Sequence, residues 1–267
     1  MSRLIINTPL KPTPRVNRNF AVLFDIDGVI VRNKPLLHTI GKNCTQFINL
    51  INRDQMYLSE LEKYNEQLYN IYGHSLKGWL MENSDSKKYV NNKFLYQLFN
   101  RYVYDGTILC ELEKYLKSDE FKSIYYEITD TISICNSYNI SIGLFSNAPY
   151  EWCNIVANQI NIPEKNVYSS DHELLNKNML YKPDINAFNN IQHDMCNKNN
   201  NNKHELIFID DSLKNITAIN NYRIWKPIYF NPENKKYNSY EAKGFHRIQE
   251  AKSITEINMI INDYIDN

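Results

Sequence analysis

Glycine is scarce, with seven in 267 positions, while Asn, Ile, Lys and Tyr are used heavily. A bias of that kind reflects the nucleotide composition of a genome rather than the function of one protein. Glycines that survive it mark places where a side chain fits poorly, and Gly28 and Gly143 are candidates. The five cysteines, Cys44, Cys110, Cys135, Cys153 and Cys196, are widely spaced. None forms a CxxC pair, and no Cys/His cluster has zinc-ligand spacing. An odd, scattered set reads as reduced thiols in a cytosol-like compartment, so the expected location is cytoplasmic. The six histidines are scattered too, and none is paired for metal or triad work. No charge of one sign prevails, because 30 Lys and Arg balance 30 Asp and Glu. That removes the electrostatic case for a nucleic-acid polymer or an anionic membrane as partner. No apolar run approaches the roughly 18 residues of a membrane span. The opening MSRLIINTPLKPTPR lacks the apolar stretch of a signal peptide, and no internal repeat is evident.

What is present is a chain long enough for one large domain, or a core with a smaller inserted one. Residues 1–18, with three prolines, read as an extended N-terminal arm. AVLFDI at 21–26 is a continuous apolar run ending in acid and glycine, which suits a buried central strand of a parallel sheet. From about 36 to 138 the period turns helical. Ile40, Cys44, Phe47, Ile48 and Ile51 share one face. The same spacing links Tyr57, Leu61, Tyr64, Leu68 and Ile71, then Val90, Phe94 and Leu98, then Phe121, Ile124, Ile128 and Ile132. Strands and helices then alternate. Strands are expected at 141–146, 166–170, 205–210 and 226–230. Pro149 and Pro183 suit helix starts, with Trp152, Val156 and Ile160 on one face and Ile185, Phe188 and Ile191 on another. Residues 197–203 read as a polar loop, Leu213, Ile216 and Ile219 as a helix, and 253–265 as a final helix. The pattern predicts a doubly wound, Rossmann-like parallel α/β sheet.

Ligands of such sheets bind beyond the C-terminal strand ends. The first strand ends in Asp25-Ile26-Asp27-Gly28, the second in Ser146-Asn147, the fourth in Asp210-Asp211, and Lys182 precedes a helix start. Asp25 and Asp27, two apart on extended chain, face the same way. Acids crowded in this way need a cation or a shared proton. Mg²⁺ fits an all-oxygen set and keeps waters for a phosphate to displace. Each feature alone has a plainer reading: a solvated turn for DxD, a helix N-cap for Ser146, a surface lysine for Lys182. Beside a phosphate, the hydroxyl and the fixed positive charge would serve its equatorial oxygens.

Taken together, DIDGV (25–29), FSNAP (145–149), Lys182 in YKPDINAF, and FIDDSLKN (208–215) resemble the haloacid dehalogenase (HAD) superfamily of phosphohydrolases, motif by motif and in order. The resemblance implies an HAD core at 19–33 and 126–267, with a helical cap domain at 34–125. It implies a phosphatase acting on a small phosphorylated metabolite. Asp25 would be the nucleophile that forms an aspartyl-phosphate, and Asp27 the acid and then the base. Asp25, the backbone carbonyl of Asp27 and Asp210 would hold Mg²⁺, with Asp211 in support. Ser146, the backbone N–H of Asn147 and Lys182 would bind the phosphoryl oxygens. The superfamily's dehalogenases lack an acid at the position of Asp27.

KYNEQLYNIYGHSLKGWL (63–80) is similar to the cap of pyrimidine 5′-nucleotidase-like members, which implies a nucleoside 5′-monophosphate as substrate. The first motif continues as Gly28-Val29, the general superfamily form, which leaves sugar-phosphate or phosphoglycolate-type phosphatases as the alternative. A catalytically silent binding module is disfavoured because every motif acid is present. Tyr64, Tyr69 and Tyr72 are candidates to stack on a base, with core packing as the other reading. Trp79, after Gly78 at an expected turn, is a candidate substrate contact.

Overall fold

A computed structural model describes residues 20–52, 56–83, 92–176, 178–198, 205–235 and 248–266. The N-terminal arm at 1–18 lies outside them, as does the polar loop from 199 onward. Among the described residues no helix is long and apolar enough to cross a membrane.

The centre is a six-stranded sheet in the order β3-β2-β1-β4-β5-β6, with every neighbouring pair parallel. The strands are β1 (Phe20–Phe24), β2 (Ser141–Phe145), β3 (Val167–Tyr168), β4 (Glu205–Asp210), β5 (Trp225–Phe230) and β6 (Gln249–Ala251). All five residues of β1 are buried, as its unbroken apolar run requires of a strand covered on both faces. Phe20, Val22 and Phe24 enter one core, and Ala21 and Leu23 enter the other, following the period of two. The second core holds the aromatic rings of Phe145, Phe188, Phe208 and Trp225, packed edge-to-face or tilted. Gly143 in β2 lies where a Cβ would stand 2.5 Å from the carbonyl oxygen of Asn166. The scarcity argument therefore holds there.

Among the described residues six helices intervene between β1 and β2: α1 (Lys34–Ile51), α2 (Leu58–Tyr72), α3 (Ser75–Glu82), α4 (Asn92–Val103), α5 (Gly106–Leu116) and α6 (Asp119–Ser137). Asn33 caps α1 by accepting from the Leu36 N–H, with a proline in the first turn. Ser118 caps α6, whose first turn holds Asp119 and Glu120. Around the rest of the sheet lie α7 (Tyr150–Gln159), α8 (Glu173–Asn176), α9 (Ile185–Lys198), α10 (Leu213–Ile219) and α11 (Ile254–Asp266). Thr131 of α6 bonds Asn258 of α11, Oγ1 to Oδ1, at 2.5 Å. This ties α6 to the sheet layer.

Three sequence expectations need correction. In α4 the inward row is Leu95, Phe99 and Val103 with Tyr96, whereas Phe94 and Leu98 are 58% and 39% exposed. Both rows have helical spacing, and packing against Phe47 of α1 and against His74 decided between them. Tyr57, the residue before α2, and Ile71 face solvent, and Asn65 takes an inward place between Leu61 and Leu68. β6, with the sequence QEA, was not foreseen, because a three-residue edge strand with two exposed acidic or polar positions carries no apolar signal.

Candidate active site

Every polar group singled out from the sequence lies at or beside the C-terminal edge of the sheet. Asp25 continues the ladder from β1, donating its N–H to the Ile209 carbonyl at 2.8 Å. The chain then turns tightly. Gly28 N–H reaches the Val31 carbonyl at 2.8 Å, and Gly28 takes φ +83°. A Cβ on Gly28 would also stand 2.0 Å from Asp211 Oδ2, so only glycine lets the two loops meet.

Lys182 is 1% exposed. Its Nζ lies 2.8 Å from Asp25 Oδ1 and 2.7 Å from Asp210 Oδ2. The rings of Phe145 and Phe208 each sit 5.2 Å from the ammonium. Burial opposes its charge, but Asp210 and Asp25 outweigh burial and hold its pKa above the ordinary value. Asp25 Oδ1 also accepts from the Ile26 N–H at 2.7 Å, while Oδ2 has no partner among the described residues. Asp210 is held on both oxygens: Oδ1 accepts from Ser212 N–H at 2.7 Å, and Oδ2 accepts from Asn215 Nδ2 at 3.0 Å as well as from Lys182. Carboxylate oxygens of Asp25, Asp210 and Asp211 lie within 4.8 Å of one another. Burial, then repulsion from Asp210, Asp27 and Asp211, pushes the Asp25 carboxyl well above the usual range despite Lys182. Such a cluster favours a cation.

Asp27 stands apart from that set. Its Oδ1 accepts from the indole Nε1 of Trp152 at 3.0 Å, and burial pushes its carboxyl up to about 6 against the pull of that bond and of Lys182. Ser146 is buried, and its Oγ accepts from the Ala148 N–H at 3.1 Å. The Asn147 side chain has a structural task that the sequence did not suggest. Its Nδ2 donates to the carbonyls of Gly73 at 2.8 Å and Lys182 at 2.9 Å, and its Oδ1 accepts from Lys182 N–H at 2.9 Å.

Asp25, Asp27, Ser146, Asn147, Lys182 and Asp211 floor a cavity of about 430 Å³ whose far wall comes from α1, α2 and the α2–α3 turn, with Ile40, Asn65, Tyr69 and His74, and from α4 and the chain after it, with Phe99 and Tyr104. Tyr69 thus lines the cavity. Tyr64 and Tyr72 pack instead against the core. Trp79 is not a cavity residue. It is buried inside α3, and Gly78 is a helical position where a Cβ would stand 2.9 Å from Leu68 Cβ. Close helix packing, not a turn, explains that glycine. His74, Tyr104, Trp152 and Asn215 escaped attention as site residues. Asn215 closes FIDDSLKN, His74 lies within the segment 63–80 and Trp152 closes FSNAPYEW (145–152), whereas Tyr104 stood in no motif.

A family model described as haloacid dehalogenase-like hydrolase matches residues 21–222. The chain belongs to that family. Solved structures similar in fold to this HAD-like hydrolase include a hydrolase from Pseudomonas syringae, 9% identical, with TM-score 0.52, covering 91% of this chain and 98% of that one. An HAD phosphatase from Thermococcus onnurineus is 14% identical with TM-score 0.48, covering 91% and 97%. A 2-haloacid dehalogenase from P. syringae pv. tomato is 11% identical with TM-score 0.47, covering 92% and 99%. A comparison with curated protein sequences finds no match.

Proposed function

We propose that this HAD-like hydrolase is a Mg²⁺-dependent phosphatase of small phosphate monoesters, with a nucleoside 5′-monophosphate as its preferred substrate. The observation that carries the reading is the meeting of Asp25, Asp210 and Asp211 within 4.8 Å beside Lys182, where Asp25, Asp211 and Lys182 line one cavity and Asp210 is buried behind them. Three carboxylates crowded around the buried ammonium of Lys182 are the all-oxygen donor set a hard divalent ion requires. Asp25, Asp210, Asp211 and the backbone carbonyl of Asp27 would hold Mg²⁺, which would supply positive charge between the nucleophile and the phosphoryl oxygens.

Asp25 Oδ2 attacks phosphorus, and the ester P–O bond breaks as Asp27 gives its proton to the leaving oxygen. Water then attacks the phosphorus of the aspartyl-phosphate and gives a proton to Asp27 as the P–O bond to Asp25 breaks, which restores the Asp25 carboxylate and the protonated Asp27 and frees phosphate. Ser146, the Asn147 N–H and Lys182 serve the phosphoryl oxygens. That N–H has no acceptor among the described residues. The residues between β1 and β2, expected as a cap at 34–125, act as a cover that excludes bulk water. Since α6 is continuous across 125 and tied to α11, the cover is taken as α1 to α5. The N-terminal arm before residue 19 stands apart from both. The aromatic side chains of Tyr69, Phe99 and Tyr104 favour a planar leaving group.

The test is phosphate release across a panel of nucleotides and sugar phosphates with Mg²⁺. UMP or CMP should exceed sugar phosphates at least about tenfold in kcat/KM, or ~1.4 kcal/mol of transition-state binding. Asp25→Asn should cost about three orders of magnitude or more while the fold survives. Chloride release from a 2-haloacid, with none of phosphate from any ester, would overturn the reading.

A further inference from the structure

We propose that Trp152 is a positioning residue for Asp27, one that fixes which carboxyl oxygen faces the leaving group; the inference rests on the reading of Asp27 as the acid. An indole N–H donates and cannot accept. The oxygen it touches, Asp27 Oδ1 at 3.0 Å, is therefore kept as an acceptor. A proton on Asp27 is steered to Oδ2, which has no partner among the described residues.

Trp152 is itself fixed. It is fully buried in the first turn of α7, six positions after Ser146 on the segment that leaves β2. The ring of Tyr104, which lines the cavity, meets it edge-on at 5.4 Å and 64°. One rigid side chain thus joins the loop of the proposed acid to the loop of the proposed phosphate site. Without the indole, both oxygens of Asp27 become equivalent and its carboxyl can rotate away from the ester oxygen.

A merely structural tryptophan would slow all substrates alike. An aligning one matters only where the leaving group needs a proton. The experiment compares kcat/KM of Trp152→Phe and the unaltered full chain on an alkyl phosphate, such as a nucleoside monophosphate, and on p-nitrophenyl phosphate. The p-nitrophenolate departs unprotonated, and kcat/KM reports steps only up to formation of the aspartyl-phosphate. The expected result is a fall on the order of 10- to 100-fold for the alkyl ester, with a change under about threefold for the aryl ester. In an Asp27→Asn background the same substitution should add nothing further. Equal losses on both esters, no loss on either, or a larger loss on the aryl ester would overturn the inference. Should Trp152→Phe fail to fold, β-(3-benzothienyl)alanine at 152, which keeps the ring shape and lacks the N–H, carries the same comparison. An unaltered chain inactive on both esters would instead overturn the phosphatase reading.

Discussion

A methyl group on Gly28 would collide with Asp211 Oδ2 at 2.0 Å and would have to tolerate φ +83°. Gly28→Ala should therefore push Asp211 away from Asp25 and Asp210. The expected outcome is at least about a tenfold rise in the Mg²⁺ concentration for half-maximal activity, with about 1–2 kcal/mol of lost stability. A metal titration of activity and a denaturant melt check both. An unmoved metal dependence would remove Asp211 from the ion site. Gly28 and the acids were legible because each follows an apolar strand, and strand ends are where sheets gather polar groups. Trp152 was legible as an apolar position on the face of α7 and as the end of FSNAPYEW, and not as a partner of Asp27. Its N–H meets an acid 125 residues earlier, and no local pattern encodes a partner that far away. Asn147 was read through its backbone, whereas its side chain fastens Gly73 to Lys182.

The join between α2 and α3, with Gly73, His74 and Ser75, lines the cavity. Gly73 closes α2 at φ +72°, and a Cβ there would stand 1.6 Å from the Lys182 carbonyl oxygen. His74 then caps α3, its Nδ1 accepting from the Lys77 N–H at 3.4 Å and its ring stacked on Tyr181 at 4.6 Å. Burial, aided by Lys77, lowers its pKa from 6.5 to about 3. The unfolded chain binds that proton more readily than the fold does. The contribution is complete above pH 6.5 and is lost as the pH falls toward about 3. By linkage, His74 alone should cost about 2 kcal/mol of stability at pH 5 relative to pH 8. Urea midpoints at the two pH values should lie closer together in His74→Asn, which keeps a capping acceptor and loses the titration. An identical pH dependence in variant and parent would refute this. The sequence marked α2 by period, put a turn at Gly78 where α3 runs, and misjudged the inward row of α4. Phe94/Leu98 and Leu95/Phe99 are equally periodic, and the choice depends on His74 and its stack, which period alone does not contain.

At the scale of the whole molecule, the proposed ion ties the end of β1 to the end of β4, so its binding should register in global stability. Mg²⁺ at a hundred times its dissociation constant should add about 2.7 kcal/mol. It should raise the melting temperature of the parent and leave Asp210→Asn unmoved, and a chelator should abolish activity reversibly. An equal thermal shift in both proteins would mean that the ion binds elsewhere. The sheet itself was readable from the alternation of strands and helices, except at its edge. Its strand order also has a consequence for synthesis. The most apolar strand, Phe20–Phe24, emerges from the ribosome first, yet both of its neighbours, Ser141–Phe145 and Glu205–Asp210, are made much later. Until they arrive, both edges of that segment are open to any other chain nearby. A nascent chain halted after residue 198 should bind an apolar dye and aggregate where the complete one does not. Solubility in the cell would then depend on how quickly translation reaches the fourth strand.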